Sequence, residues 1–302
     1  MSDMKVHVSK KSKKMMIRDN IAAYIFLAPW LIGLFAFTMW PFLNSLYLSF
    51  QQTNLFESRF VGLDNYFKLF EDDKFLKSMW ITIKFVFISV PLKLTFALFI
   101  ALLLKREMKG MHMYRTIIYI PSLIGGSVAI AVMWTQLFGK NGLLNSFLDI
   151  FGFEGSNWIA NPKTALLTLI ILYVWQFGSS MVIFLSGLKN IPSTLYEACK
   201  VDGGGRVASF FHITLPMLSP IILFNFVLQT INSFQVFTQA FLITKGGPMN
   251  ETNFMVLYIY DKAFSSRQMG YASAMSWSLL LVIVATTGII FLTSKKWVYY
   301  ES

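Results

Sequence analysis

A single cysteine, Cys199, in a chain of 302 residues excludes an intramolecular disulfide framework and a thiolate metal cage. Histidine is almost as scarce, and His7, His112 and His212 are scattered without ligand spacing, so metal chemistry is not expected. Charge is also thin: 14% of residues are charged, against 55% hydrophobic and 17% aromatic. Nearly half of the charged side chains fall in tails and short connectors, and Asn20 to Phe56 carries none. So few charges cannot cover an aqueous surface, which excludes a soluble fold and makes lipid the main solvent. There is no G-x-x-x-x-G-K-[ST] phosphate loop and no repeat of 20 to 50 residues.

Segments long enough to cross a bilayer, about 20 apolar residues, are Ile21 to Leu43, Met79 to Leu104, Ile117 to Phe138, Ala165 to Leu188, Met217 to Gln239 and Ala272 to Thr293. The sequence therefore predicts an all-α, polytopic membrane protein with six transmembrane helices. The first segment follows a lysine run, as a signal peptide would. It exceeds the apolar core of such signals and no small-residue cleavage site follows, so it is expected to be retained.

Orientation follows from lysine and arginine in alternate connectors. The amino tail, residues 105–116, residues 189–216 and the carboxyl tail hold 15 of the 26 basic residues; the other three connectors, longer in total, hold 9. Both termini are thus expected in the cytoplasm. The amino tail, with Lys10, Lys11, Lys13, Lys14 and Arg18, reads as a topology determinant attracted to anionic lipid rather than as a nucleic-acid site. The domains expected are a basic cytoplasmic tail over 1–20, a six-helix transmembrane domain over 21–293 that includes the loop 189–216, and a cytoplasmic tail over 294–302. Outside, the connector Asn44 to Ser78 contains NYFKLFEDDKFLKSMW, which predicts a short amphipathic helix at the interface.

Between spans four and five the chain reads IPSTLYEACKVDGGGRVASFFHITLPMLSP, from Ile191 to Pro220. Ser193 is expected to cap a helix continuing through Leu195 to Val201. Gly203, Gly204 and Gly205 stop it, and a second short helix is predicted from Arg206 to Ile213, ending before Pro216.

This spacing resembles the EAA loop of binding-protein-dependent ABC importer permeases: Glu197, Ala198 and Cys199, then Gly203, then Ile213, Leu215 and Pro216 are in register. Essentially the whole chain is similar to the maltose-type carbohydrate permeases, with RTIIYIPSLIGGSVAIAVMW, GLKNIPSTLYEA and TKGGPMNET as supporting segments. Two departures stand out. Cys199 replaces the second alanine, as a small apolar residue expected to pack as core, and Gly204 with Gly205 extends the usual Gly-Ala, which is expected to loosen the turn. The resemblance implies that Glu197, Ala198, Cys199, Asp202 and Gly203 couple the spans to a cytoplasmic ATPase. It further implies two ATPase subunits, a second homologous permease subunit, an extracytoplasmic sugar-binding protein and a carbohydrate cargo. No cofactor is expected on this chain, with ATP and magnesium used by the partner ATPase.

Span five carries Asn225, Gln229, Asn232 and Gln239 at separations of 4, 3 and 7, with Gln235 at the edge of that face. Two readings stand: amides bonded to a neighbouring helix, or amides that bind sugar hydroxyls along a pathway. Trp175, Phe177, Phe234 and Phe237 are candidate stacking surfaces. Lys93 lies 12 residues before Lys105, about 18 Å deep at 1.5 Å per residue, and no span offers Asp or Glu to pair with it. Either it is a structural lysine bonded to carbonyls, one of them freed by Pro91, or it touches an anionic group of cargo; the first is preferred.

The expectation is a multi-pass permease subunit of a bacterial carbohydrate importer in the cell membrane, with an oligosaccharide as preferred cargo and a polyol or glycerol phosphate as alternative. An ion channel or ion-coupled transporter would carry acidic residues or charge rings in its spans, and a membrane-embedded enzyme would carry a catalytic His, Cys or acidic cluster there. The spans have neither.

Overall fold

The computed structural model describes residues 13–53, 58–106 and 108–299. Residues 1–12, most of the basic tail read from the sequence, lie outside the described residues. Helix α1 (Lys13–Gly33) starts inside the segment assigned to that tail and passes through a π-helical turn, Leu34–Met39, into α2 (Trp40–Ser49). Pro41 enters at the start of α2, where its missing N–H is tolerated, so the first span extends past Leu43 to Ser49.

The connector between the first and second spans differs from the all-α expectation by a short antiparallel hairpin. In it β1 (Gln51–Thr53) pairs with β2 (Ser58–Phe60), with Gln51 opposite Phe60 and Thr53 opposite Ser58. The expected amphipathic helix follows as α3 (Asp64–Glu71). Asn65 ties it back to the hairpin, its Nδ2 donating to the Ser49 and Gln51 carbonyls at 2.9 and 2.8 Å.

At the centre stands α4 (Asp73–Leu104), which packs on α8 (Ala165–Trp175), α9 (Gly178–Asn190) and α12 (Leu215–Phe234). The largest fully buried side chains, including Phe85, Phe184, Phe234 and Phe254, fill these seams. The last helix, α14 (Met269–Ser294), lies against α2 and α12. Aromatics on the outer faces of α1 and α2, such as Phe26 and Trp40, are exposed, as suits helices whose surroundings are apolar.

Among the described residues, four helical segments are individually long and apolar enough to cross a membrane: Ala23–Ser49, Asp73–Leu104, Arg206–Phe234 and Met269–Ser294. Expected spans three and four are each broken. Span three divides into α5 (Met111–Ile124) and α6 (Val128–Phe138), and the direction turns by 94° from α5 into the segment Val128–Ile150, which includes α7 (Leu143–Ile150). Span four divides into α8 and α9 with a 41° bend. The break in span three falls at Gly125-Gly126-Ser127, and the Ser127 hydroxyl caps α6 by accepting from Ile130 N at 3.3 Å.

The two breaks interlock. Gln176, between α8 and α9, donates to the Gly125 carbonyl at 3.2 Å, and Ser179 N donates to Ser122 Oγ at 3.2 Å. A Cβ on Gly125 would overlap the Gln176 side chain, and one on Gly178 would come within 2.6 Å of Ser122 Oγ. The glycines therefore let two kinked helices approach backbone to backbone.

Candidate functional site

The loop between spans four and five forms α10 (Ser193–Val201), entered through the extended backbone of Pro192. Ser193 is the first helical residue and makes no side-chain cap, a correction to the N-cap expected there. Proline at the cap position already fixes the entering direction of the chain, so Ser193 enters the helix one residue early. The helix stops as expected: Gly203 adopts φ +79°, and Gly204 N donates to the Cys199 carbonyl at 2.7 Å.

The second helix of the loop does not end before Pro216. From α11 (Arg206–Ser209) it runs through a π-helical turn, Phe210–Thr214, straight into α12, so Arg206–Phe234 is one 29-residue helix. The wide turn lies immediately before Pro216 and removes the need for its missing N–H. The loop is therefore one free helix, α10, lying beside the end of span five.

The inner face of α10 is braced. Tyr196 shares a 3.0 Å hydrogen bond with Thr214 Oγ1, and Lys105 Nζ, just past the end of α4, donates to the Tyr196 hydroxyl at 3.2 Å and sits 4.3 Å from its ring centroid. One turn on, the half-buried Cys199 has its sulfur 3.3 Å from Ser209 Oγ. A Cβ at Gly204 would overlap that sulfur and lie 2.8 Å from the Cys199 carbonyl oxygen. The two departures from the EAA pattern thus fit each other: the larger residue at 199 occupies the space vacated by glycine at 204, and the turn is close-packed rather than loosened. On the outer face Glu197, Ala198 and Asp202 are exposed, beside Val201, which is 87% exposed. An exposed apolar residue flanked by carboxylates, on a helix held from behind, is a surface ready for a partner.

The polar interior divides the amide face of span five. Asn225 is fully buried, and its Nδ2 reaches the Ser180 carbonyl of α9 at 3.4 Å. Gln229, 5% exposed, receives the Tyr173 hydroxyl on its carbonyl oxygen at 3.0 Å and on Oε1 at 3.2 Å. Asn232 and Gln235 are exposed and Gln239 is half-buried. The helix ends at Phe234, so Gln235 begins a break and Gln239 precedes a separate π-helical turn, Ala240–Thr244. The 7-residue spacing therefore does not place Gln239 on the same helical face, because the sequence argument assumed an unbroken helix.

Lys93 is 5% exposed, with Nζ 4.0 Å from the Tyr173 ring centroid. Among the described residues it donates to no carbonyl; the aromatic face takes the place assigned to a freed backbone oxygen. Lys93, Tyr173 and Gln229 thus form one chain across α4, α8 and α12. Trp175 is half-buried, 5.8 Å from Trp134, while Phe177 and Phe234 belong to the core. Tyr173, Tyr196, Lys105, Gln176 and Ser122 were not foreseen, because each acts through a residue distant in sequence and has no local pattern.

At the start of α4, the end of the bundle opposite α10's brace to Lys105, Asp72 clasps three helices. Its Oδ1 caps α4 by accepting from Lys74 N and Phe75 N, and its Oδ2 accepts from the Tyr258 hydroxyl of α13 (Met255–Tyr260) at 2.7 Å and from the Tyr271 hydroxyl of α14 at 2.8 Å. Burial alone would raise the Asp72 carboxyl, but these bonds, the tyrosines foremost, together hold it below the usual carboxylate range. Burial and then the bond to Asp72 raise the Tyr258 phenol, which stays a donor.

Apolar helices of spanning length, packed on a mostly apolar core that holds the Lys93–Tyr173–Gln229 chain, with a braced helix exposed at one end, give the architecture of a polytopic membrane protein. Residues 86–298 match the family described as binding-protein-dependent transport system inner membrane component, and the chain belongs to that family. It is 50% identical over 298 residues to the probable ABC transporter permease protein YesP of Bacillus subtilis, covering 97% of this chain and 96% of that one. It is 32% identical to the sn-glycerol-3-phosphate transport system permease protein UgpA of Shigella flexneri, covering 96% and 99%. To the arabinooligosaccharides transport system permease protein AraP of Bacillus subtilis it is 30% identical, covering 88% and 86%. The fold is shared with a bacterial ABC transporter involved in import of the acidic polysaccharide alginate: TM-score 0.80, 22% identity, 93% of this chain and 97% of that one. A second structure of a bacterial alginate ABC transporter, with an alginate pentasaccharide-bound periplasmic protein, superposes with TM-score 0.79 at 22% identity, covering 92% and 94%.

Proposed function

We propose that the chain is the permease subunit of a carbohydrate importer in a bacterial cell membrane, using ATP hydrolysed by a partner. In this reading residues 21–293 cross the membrane six times with both termini in the cytoplasm, and the outer face of α10, with Glu197, Ala198 and Asp202, seats on one of two ATPase subunits. Cys199 and Gly203 shape the turn behind that face. A second, homologous permease subunit completes the pathway, and an extracytoplasmic binding protein delivers the sugar.

The observation that carries the proposal is the bracing of α10: Tyr196 ties it at once to Lys105 of the second span and Thr214 of the fifth. A push on the exposed face then reaches two spans without being absorbed by the loop. Of the amides read on span five, exposed Asn232 and Gln235 are available for sugar hydroxyls, whereas Asn225 and Gln229, like Lys93, hold helices together. A glycerol phosphate cargo is the second reading, favoured by the identity to UgpA.

The test is uptake into proteoliposomes carrying the full complex, with ATP inside, of lactose, arabinotriose and sn-glycerol 3-phosphate. ATP-dependent uptake of a sugar, unaffected by collapsing ion gradients and lost in Glu197→Lys, is expected. Uptake that follows an ion gradient without ATP would remove the proposal.

A further inference from the structure

Near the outer end of span five the chain walls a cavity of about 470 Å³, lined by Lys74, Lys245, Asn250 and Asp261 on one hand and by Phe241 and Tyr260 on the other. Its volume lies in the range of small-ligand sites. Phe241 and Tyr260 are each 38% exposed, so each keeps part of its ring free. The rings belong to a cluster. Phe237 lies 5.1 Å from Tyr260 by centroid and stacks on Phe241 at 5.2 Å and 17°, Phe241 and Tyr260 are 5.6 Å apart, and Phe264 lies 5.0 Å from Tyr260. Phe237 sits in the chain between Gln235 and Gln239, so the cluster adjoins, along the chain, the amides beyond the end of α12.

An interfacial aromatic belt is the plain alternative. A belt facing lipid would not share its cavity with two lysines, two asparagines and an aspartate. The wall is also held in shape. Lys245, Met249 and Asn250 all take positive φ, of 50°, 49° and 61°, a conformation that non-glycine residues keep only when neighbours impose it. Here the neighbours are visible: Thr252 Oγ1 donates to Gly247 O at 2.6 Å, Lys77 Nζ donates to Met249 O at 2.8 Å and pairs with Glu251 at 2.8 Å, and Asn253 reaches Ser78 Oγ at 3.2 Å. A preorganised polar lining beside partly exposed rings matches a sugar, whose hydroxyl rim seeks hydrogen bonds while the C–H face of its ring stacks on aromatics.

We propose that this cavity is an outer vestibule for one saccharide ring, which stacks on Phe241 and Tyr260, hydrogen-bonds Lys245, Asn250 and Asp261, and moves along Phe237 towards Gln235 and Gln239. The inference rests on the carbohydrate reading above.

Uptake by the complete complex in proteoliposomes tests it, with lactose, arabinotriose and sn-glycerol 3-phosphate as probes and cargo below saturation. Tyr260→Leu and Phe241→Leu, which keep bulk but lose the ring, should lower uptake of the imported sugar roughly tenfold, as loss of one stacking contact predicts. Tyr260→Trp should stay near wild type. Co-purification and melting temperature report assembly; should Tyr260→Leu not assemble, Phe241→Leu, on the other ring of the cavity, carries the test. Wild-type sugar uptake that persists in the leucine variants, or is lost equally in Tyr260→Trp, overturns the vestibule alone. Wild-type import of glycerol 3-phosphate and of neither sugar overturns the carbohydrate reading and the vestibule with it.

Discussion

Gln229 and Asn232 lie one turn apart on α12 in opposite surroundings: the first is buried against Tyr173, the second exposed. Periodicity put both on one polar face, which was legible. Which amide bonds a neighbour was not, since that depends on Tyr173, 56 residues away in sequence. Gln229→Ala is accordingly expected to lower stability by about 1–2 kcal/mol, a lost hydrogen bond plus a small void, seen as a lower melting temperature of the complex. Asn232→Ala should leave melting unchanged and reduce transport, with a loss that varies with the hydroxyls of the sugar tested; the reverse pattern would exchange their roles. Asp72 gives a second residue-scale expectation. Because its carboxyl is held below its ordinary value in the folded chain, the clasp contributes its full stability above the usual carboxylate pKa and loses it as pH falls through the depressed one. Melting temperature should thus drop on acidification below about pH 4 in the wild type. Asp72→Asn should be less stable at neutral pH and show less of this drop; parallel curves would remove the clasp from the account.

Among the elements, α4 and α14 could be read directly, because an apolar run of this length, charged inside span two only at Lys84 and Lys93, has one solution in lipid. Span five was legible as a crossing but not in its bounds, which are Arg206–Phe234 rather than Met217 to Gln239. The breaks in spans three and four could not be read. Gly125-Gly126-Ser127 and the stretch from Gln176 to Ser180 hint at breaks, but hydropathy averaged over a whole span passes over them, and the break is decided where Gln176 meets Gly125 and Ser179 meets Ser122, contacts more than 50 residues apart in sequence. The hairpin escaped for a similar reason: three-residue strands carry too little alternation to register. For α10 the start and stop residues were visible in outline, but the brace was not, since Lys105 lies 91 residues before Tyr196. Tyr196→Phe keeps the ring over which Lys105 sits and removes the hydroxyl that Lys105 and Thr214 share. The expected result is a complex that assembles and hydrolyses ATP but moves several-fold less sugar per ATP. An unchanged ratio of sugar to ATP would show that the hydroxyl bonds do not transmit the stroke.

For the whole molecule, the number of crossings follows from how the two bent pairs sit in the bilayer, and parity makes this measurable. Four straight helices alone return the chain to its starting side, as do all six spans. If only one bent pair crosses, the termini are separated. Charge supports six: the connectors joined by that count to the cytoplasm hold 15 of the 26 basic residues, and it places the Asp72 clasp and the cavity at Phe241 together outside. Residues Asn20, Glu154 and Lys295 are all exposed, and single cysteines can be introduced there in a Cys199→Ala background, where alanine restores the smaller side chain of the EAA pattern. With an impermeant thiol reagent on intact cells, Glu154→Cys should react, while Asn20→Cys and Lys295→Cys should react only after the cytoplasmic face is opened. Labelling of Asn20→Cys and Lys295→Cys from opposite sides would mean that one bent pair is re-entrant. Protection of Glu154→Cys with both termini inside would mean that both are, leaving four crossings and a pathway formed mainly by α4, α12 and α14.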